Sequence, residues 1–325
     1  MYNYLEQIIK NCKLSTENFD LSTSVHFLNG DTSLDESKAI LYLLLNHMNN
    51  IDDIESINID KQIFRNTSLK DFKIDESTLK SIWENFDKKS SPSRKVGDIF
   101  WSQLNWEEIP DLKIMDIGCG SGDYIKKIFE WSNKKSLSYH GFDLFQHRNW
   151  DPILSWSKEK NIDAKFTSVN IDDSDVESLI PKGTNFFMSQ SALEHLKYDL
   201  KYFQGVKRYI EKNQFPITQI HLFPGSASLR LFLYHGYRQY GLNSIAKIIK
   251  VFNDEKIELV KLCGHSSNEL HYNHITIPHF YERTNDLRET DTEKYDRLLF
   301  DAILSDSKEE IKSPCFWAMV IRSNV

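Results

Sequence analysis

The segment Ile114–Tyr124, IMDIGCGSGDY, constrains the fold of this 325-residue chain more than any other. An apolar run that ends at Ile117 leads directly into Gly118, Gly120 and Gly122, and a helical pattern follows. Glycine has no Cβ, so its backbone can adopt a positive φ and approach a ligand closely. A strand that ends in such a turn before a helix is typical of an open α/β sheet, in which ligands lie at the carboxyl ends of the strands.

Beyond Pro110, short apolar runs alternate with helical patterns such as Tyr124–Trp131 and Ser174–Leu179. The apolar runs that we predict to be strands are Lys113–Ile117, Ser138–Leu144, Lys165–Ile171, Asn185–Ser189, Ile217–Phe223, Lys256–Cys263 and Cys315–Arg322. Strands that alternate with helices form a parallel sheet with helices on both faces. We therefore predict an α/β fold with a doubly wound, mostly parallel sheet of seven strands.

The residues before this pattern, 1–93, are predicted to form an N-terminal helical region. Ser33 and Glu36 have the spacing of a capping box ahead of the apolar stretch Ala39–Met48. In Leu79–Phe86 apolar residues repeat at i, i+3, i+4 and i+7, the pattern of one helix face. We expect this region to be a lid that excludes water from a small substrate.

The boundary of the α/β domain is predicted from a polar segment. Lys88–Lys95, KKSSPSRK, contains a proline and is typical of a linker. Residues 94–325 are therefore predicted to form the α/β domain. An insertion at residues 264–313, rich in His, Tyr and charge, is predicted to be a cap over one end of the sheet.

Composition excludes several classes of protein. Hydrophobic residues make up 40% of the chain, enough for a substantial core, and the net charge of −7 argues against a nucleic-acid-binding surface. The most apolar run, Ile40–Leu45, is too short to span a membrane. The cysteines are Cys12, Cys119, Cys263 and Cys315. They have no metal-ligand spacing, so we expect free thiols in a cytoplasmic protein.

The glycine turn resembles motif I of the class I (Rossmann-like) S-adenosylmethionine (SAM)-dependent methyltransferases, an acidic residue followed by GxGxG. This resemblance implies that SAM is the cofactor. The residues that it implies at the methionyl part of SAM are Asp116, Gly118, Cys119, Gly120 and Gly122. The competing interpretation is a dinucleotide-binding GxGxxG loop, whose third glycine would fall at Asp123. A carboxylate there is unfavourable for a pyrophosphate at the helix N-terminus.

The resemblance continues through the next three strands. It implies that Asp143, at the end of the second strand, accepts hydrogen bonds from the ribose hydroxyls. It also implies adenine recognition by Asn170 and by the backbone of Ile171, and cofactor contacts from Ser189 and Gln190. Each residue has a simpler interpretation, since Asp143 alone could be a helix cap and Asn170 alone a turn residue.

Asn170 departs from the family pattern, which usually has Asp at this position. An amide oxygen can accept the same hydrogen bond from the adenine amino group, and Asp172 is a possible substitute.

The acceptor site is predicted around Tyr234–Tyr240, YHGYRQY. His235 is a candidate general base, and Arg238 can pair with a carboxylate or phosphate. Tyr234 and Tyr237 are candidate substrate contacts. The alternative is an amphipathic helix over Leu231–Tyr240 whose aromatic residues pack in the core. The segment loosely resembles methyltransferases of bacterial surface-polysaccharide gene clusters.

Other histidines carry weaker signals. His195, in ALEHL, is the second catalytic candidate, although a histidine at this place more often shapes the pocket or caps a helix than removes a proton. A second group of histidines consists of His265, His271, His274 and His279. Their spacings match no zinc pattern, so no metal site is expected.

Together these features favour a SAM-dependent methyltransferase that acts on a small polar or anionic acceptor. An oxygen of a sugar or phosphorylated metabolite in surface-polysaccharide biosynthesis is the acceptor that the resemblance implies. The alternatives are a SAM-fold protein that binds without turnover and, third, an NAD-dependent oxidoreductase. We expect no nucleic-acid partner and no membrane span, and the oligomeric state is open.

Overall fold

The computed structural model describes residues 10–11, 40–44, 46–47, 66–109, 111–133, 137–231 and 235–324. The eight strands that it describes form one sheet. The strands are β1 (Thr67–Asp71), β2 (Lys113–Ile117), β3 (Ser138–Asp143), β4 (Asp163–Ser168), β5 (Phe186–Gln190), β6 (Ile217–Pro224), β7 (Lys256–Leu262) and β8 (Phe316–Ser323). Their order is β1-β7-β8-β6-β5-β2-β3-β4, and only β8 runs antiparallel to its neighbours.

The predicted fold class is confirmed, and all of the predicted strands are present. The sheet has an eighth strand, β1, in the region predicted to be helical, so that prediction is wrong for residues 67–71. β1 pairs in parallel with β7, beginning with Thr67 opposite Ile257. Its side chains are mostly exposed, so the segment TSLKD lacks the apolar alternation that identifies a half-buried strand.

Helices connect the strands. They are α1 (Glu76–Ile82), α2 (Pro92–Ser102), α3 (Tyr124–Ser132), α4 (Trp150–Glu159), α5 (Val176–Leu179), α6 (Asp199–Glu211), α7 (Leu242–Val251), α8 (His265–His271), α9 (Leu287–Thr290) and α10 (Thr292–Lys308). Short 3-10 turns occupy Trp83–Asn85, Trp106–Glu108, Leu193–His195 and Ser226–Arg230, and a π-helical segment occupies Tyr272–Glu282. Residues 40–44 and 46–47 are also helical.

The helices cover both faces of the sheet. Because successive side chains of a strand point to opposite faces, Ile114 and Met115 belong to separate core clusters. The first cluster holds residues of α2, α3, α4 and α10, for example Leu299. The second holds residues of α5, α6 and α7, for example Phe203. The two faces are therefore both buried, as a doubly wound sheet requires.

The segment predicted to be a linker begins a helix. Ser91 is the N-cap of α2 and Pro92 its first residue, a favoured position for proline. Lys95 is fully buried, and its Nζ lies 3.5 Å from an Asp296 carboxylate oxygen and 4.0 Å from the centre of the Trp83 ring. The contact with Asp296 joins α2 to α10, which lies within the 264–313 insertion. A separate lid ending at residue 93 and a cap at 264–313 stay predictions.

Two predictions from composition concern the cysteines and membrane-spanning helices. Cys119, Cys263 and Cys315 are buried free thiols, and Cys12 lies outside the described residues. Among the helices that the structure describes, none combines the length and the apolar character needed to cross a membrane.

The chain order reverses between β2 and β5, which lie side by side in the sheet. The chain builds one half of the sheet from β2 through β3 to β4, and the other half from β5 through β6. Open α/β sheets bind ligands at the carboxyl ends of the strands at such a point. Gly118 follows β2 there and Ser191 follows β5.

Candidate active site

The glycine turn after β2 opens toward empty space. Gly118 has a φ of +70°, and an added Cβ would lie 2.3 Å from the Cβ of Ala192. The turn and the segment after β5 are therefore in close contact. Gly120 has a φ of +53°, and a Cβ there would have no neighbour within 4 Å. The indole of Trp150 donates a hydrogen bond of 2.9 Å to the Gly120 carbonyl and holds this opening in place. Gly122 also has a positive φ.

Asp143 lies beside this opening. Its Oδ2 accepts a 2.8 Å hydrogen bond from the Gly120 N–H, and its side chain is half-buried. The structure thus brings Asp143 and Gly120 together. Recognition of a ribose by Asp143 stays a prediction.

Asp116 and Cys119 flank the turn from inside the protein. Asp116 is 2% exposed and accepts a hydrogen bond from the Tyr139 hydroxyl. Burial raises the pKa of Asp116 to about 7. A cationic ligand nearby would lower this pKa and favour the ionised carboxylate. The side chain of Cys119 faces β3, because a Cβ added to Gly141 of that strand would lie 2.8 Å from the Cys119 sulfur. The backbone of Cys119 belongs to the turn.

The residues after β4 form a compact polar turn. The Asn170 amide donates to Asp173 at 2.6 Å, and its oxygen accepts the Asp172 N–H at 3.1 Å. Both carboxylate oxygens of Asp172 accept backbone N–H groups, from Lys197 and Tyr198. Asp172 is therefore used in holding the segment after the Leu193–His195 turn, while Asn170 is exposed.

The remaining cofactor candidates are Ile171, Ser189 and Gln190. Ile171 is 6% exposed. Ser189 is fully buried, and its hydroxyl lies 2.9 Å from Nδ1 of His221, within the sheet. Gln190 accepts a 2.8 Å hydrogen bond from the Trp101 indole and lines a cavity. Of the pair at the end of β5, only Gln190 reaches this cavity.

The cavity has a volume of about 190 Å³ and lies at the carboxyl ends of β5 and β6. Its lining residues are Ser91, Ser93, Arg94, Gln190, Ser191, Pro224, His235 and Phe316. Ser191 has a φ of +54°, an uncommon conformation for a residue with a side chain. Such strained positions cluster at binding and catalytic sites.

Glu194, His195 and His235 lie together, and His235 lines the cavity. Glu194 is fully buried, and its Oε1 lies 3.6 Å from Nε2 of His235 and accepts a 2.6 Å hydrogen bond from Ser191. Burial raises the pKa of Glu194, but the contacts with His235 and His195 outweigh it and hold the pKa below its ordinary value. The rings of His195 and His235 pack edge to face, with 4.6 Å between their centres.

Local backbone geometry fixes His235 next to Glu194. Gly236 has a φ of +71°, and a Cβ there would lie 2.6 Å from the Glu194 carbonyl oxygen. The N–H of Tyr237 donates to the same carbonyl at 2.7 Å. Sequence reasoning missed Glu194, because its partner His235 is distant in the chain and no local pattern joins them.

The other residues of YHGYRQY do not all reach the cavity. Arg238 is 5% exposed, donates to the carbonyls of Leu196 and Lys197, and lies 3.0 Å from Asp199. It is not among the residues that line the cavity, because its donors hold the turn before α6. Tyr237 is half-buried, and Tyr234 lies outside the described residues. Residues 235–240 are not helical, so the alternative of a helix is wrong there.

Arg94 is a further residue that the sequence analysis missed. Its guanidinium donates to the Tyr124 hydroxyl at 3.3 Å and lies over the Tyr124 ring. Tyr124 is the first residue of α3, directly after the glycine turn. Arg94 therefore places a positive charge between the turn and the cavity. Ser91 and Pro92, a helix start inside the supposed linker, were the signal for its position.

A larger cavity of about 560 Å³ lies between α8 and the segment before β8. Its lining includes Arg230, Asn268 and Glu309. It shares no lining residue with the smaller cavity, and its lining includes His265 of the second histidine group.

No protein-family model matches the chain, and no curated protein matches it either. Several solved structures are similar to it. The plantazolicin methyltransferase BamL, in complex with a triazolic desmethylPZN analog and SAH, is 14% identical with a TM-score of 0.44, over 87% of this chain and 99% of BamL. The [4+2]-cyclase SpnF is 10% identical with a TM-score of 0.45, over 87% of this chain and 96% of SpnF.

A SAM-dependent methyltransferase from Archaeoglobus fulgidus is also similar to the chain. It is 14% identical with a TM-score of 0.40, over 77% of this chain and 100% of that protein.

Proposed function

We propose that this chain is a SAM-dependent methyltransferase that transfers a methyl group to an oxygen of a small polar molecule. The observation that carries the proposal is the position of the open glycine turn, beside Asp143 and at the point where the sheet order reverses. Ser191 and His235 line the cavity, and Ala192, the residue after Ser191, lies against Gly118 of the same turn.

The residues around the turn suit each part of SAM. The backbone at Gly120 leaves room for the methionyl chain, and Asp143 suits the ribose hydroxyls. Asp116 favours a cationic group, which the sulfonium and ammonium of SAM supply. Arg94 suits the carboxylate of SAM, because a guanidinium pairs with carboxylates through two parallel hydrogen bonds. Asn170, with the backbone of Ile171, is the candidate for adenine.

The transfer itself is an in-line displacement. The acceptor oxygen attacks the methyl carbon, the carbon–sulfur bond breaks, and SAM becomes S-adenosylhomocysteine. His235 takes the hydroxyl proton, and the buried carboxylate of Glu194 stabilises the imidazolium that forms. A positioned base of this kind contributes a factor of about 10² to 10⁴ in rate. His195 packs on His235 and restrains its ring.

Two alternatives remain to be separated from this proposal. An NAD-dependent oxidoreductase is disfavoured by Asp123, a carboxylate at the N-cap of α3. A binding protein without turnover would not need the Glu194 and His235 pair. The acceptor, a sugar or a phosphorylated metabolite, is a prediction of the resemblance to polysaccharide-cluster enzymes. Tyr237 is the remaining described candidate for contacting it.

A metal-assisted variant is favoured by one observation. Glu194, His195 and His235 each offer a ligand atom within 4.8 Å of the others, a spacing that a divalent cation could bridge. Carboxylate and imidazole are ligands of zinc and other transition metals. Methyl transfer from a sulfonium needs no Lewis acid, so we assign these groups to proton transfer.

The experiment is methyl transfer from methyl-labelled SAM to a panel of sugars, sugar phosphates and hydroxy acids. We expect one class of acceptor to gain the label in step with formation of S-adenosylhomocysteine, with equal rates in the presence and absence of EDTA. If turnover is lost in EDTA and restored by zinc or manganese, the acceptor is activated by a metal ion and not by His235 as a base. Absence of transfer to every acceptor, by a protein that binds S-adenosylhomocysteine, would favour binding without turnover.

A further inference from the structure

A helical stretch from the N-terminal region contacts the segment that carries His235. The stretch comprises residues 40–44 and 46–47. Tyr42 is fully buried and Asn46 is 3% exposed. Both side chains reach Gln239, and the Tyr42 hydroxyl also contacts the backbone of His235. These partners are almost two hundred residues away in sequence. This contact joins the predicted lid region to the candidate active site.

The Tyr42 hydroxyl is placed at the peptide groups of His235. The N–H of His235 lies 3.3 Å from the Tyr42 oxygen, which can accept from it. The Tyr42 O–H lies 2.8 Å from Oε1 of Gln239 and 3.1 Å from the His235 carbonyl, and it donates to one of them. The Gln239 amide in turn donates to the His235 carbonyl at 2.7 Å. Asn46 donates to Oε1 of Gln239.

Irregular backbone explains why this network matters. Residues 235–239 belong to no helix or strand, so no regular ladder satisfies the polar groups of their backbone. Glu194 contacts the His235 ring, and Gly236 brings the loop against Glu194. Tyr42 and Gln239 hold the His235 peptide from the other side. The ring is therefore fixed at both its attachment and its tip.

We propose that Tyr42 is a positioning residue, which orients His235 for the proton transfer through hydrogen bonds to its peptide groups. The inference rests on the proposed function for its effect on turnover, but the orientation of His235 can be measured without turnover. The helical stretch that carries Tyr42 thereby completes the catalytic side of the cavity.

The test compares Tyr42→Phe with Tyr202→Phe. Tyr42→Phe removes one hydroxyl and keeps the ring, so the loop loses hydrogen bonds and little packing. We expect kcat to fall about tenfold, the size expected for loss of a buried hydrogen bond, while the affinity for S-adenosylhomocysteine is unchanged. Tyr202 is also fully buried, and its hydroxyl has no hydrogen-bond partner in the described part of the chain. Tyr202→Phe should change neither quantity.

A double-mutant cycle separates positioning from a general structural role. If Tyr42 acts through His235, Tyr42→Phe has no further effect on kcat in a His235→Ala background. An equal loss of kcat in both backgrounds would overturn the proposal, as would an unchanged kcat in the single variant.

A measurement that is independent of activity uses protein with isotope-labelled histidine. The imidazole resonance of His235 is identified by its disappearance in His235→Gln. We expect it to shift or broaden in Tyr42→Phe and to stay in place in Tyr202→Phe. An unchanged resonance would end the positioning role even if the chain shows no methyl transfer, whereas a shifted resonance without methyl transfer would count against the proposed function alone.

Discussion

Gly120→Ala is expected to abolish measurable binding of S-adenosylhomocysteine while leaving the protein folded. Gly120 has a φ of +53°, and an added Cβ would point into open space rather than into the protein. Left-handed backbone costs an alanine about 1–2 kcal/mol, which a domain of ordinary stability tolerates. The methyl group would occupy the space that we assign to the methionyl chain, and the affinity should fall by about two orders of magnitude or more.

Gly183→Ala is the matched control. Gly183 also has a positive φ, +81°, and its added Cβ would meet only the flexible side chain of Lys113. It lies before β5, at the end of the strand opposite to the candidate site. Both variants should therefore lose similar unfolding free energy, measured by chemical denaturation, and only Gly120→Ala should lose binding in calorimetry. Tight binding by a folded Gly120→Ala variant would remove the turn from the site.

His235→Ala is expected to reduce kcat by about two to four orders of magnitude with the affinity for S-adenosylhomocysteine within about twofold of the parent. The imidazole lines the cavity and lies 3.6 Å from the Glu194 carboxylate, so its removal takes away the base and leaves the glycine turn intact. Turnover is measured with the acceptor found by screening, and the affinity by calorimetry.

His265→Ala is the control for this variant, since His265 is exposed on α8 and lines the other cavity. It should retain full turnover. Glu194→Gln should lower kcat in the same direction as His235→Ala, because it removes the charge that stabilises the imidazolium. Normal turnover by His235→Ala would assign the proton transfer elsewhere, with His195 as the next candidate.

The sheet was largely predictable because its strands carry local signals. Each interior strand is an apolar run bounded by turn residues, and Lys113–Ile117 was predicted with the bounds that the structure has. β1 was not predictable in this way. Its residues are mostly exposed, and it becomes a strand because the edge of β7 offers backbone partners to it. Pairing at a sheet edge is a tertiary effect that no local pattern reports.

In the candidate site, too, some contacts follow from local sequence signals and others depend on tertiary structure. The glycine turn and Asp143 lie in adjacent strand-to-helix connections, so the order of the strands was enough to bring them together. The contact between Glu194 and His235 depends on Gly236, whose conformation lets two distant segments approach each other. Arg238 shows the reverse case. Its charge suggested an anion-binding role, but its donors bind the carbonyls of Leu196 and Lys197.

The most direct measurement is calorimetric titration of the purified chain with S-adenosylhomocysteine, with NAD⁺ as the parallel ligand. We expect micromolar binding of S-adenosylhomocysteine at one site per chain and no heat from NAD⁺, since Asp123 opposes a pyrophosphate at the start of α3. Binding of NAD⁺ alone, or of neither ligand, would contradict the assignment of the glycine turn to SAM.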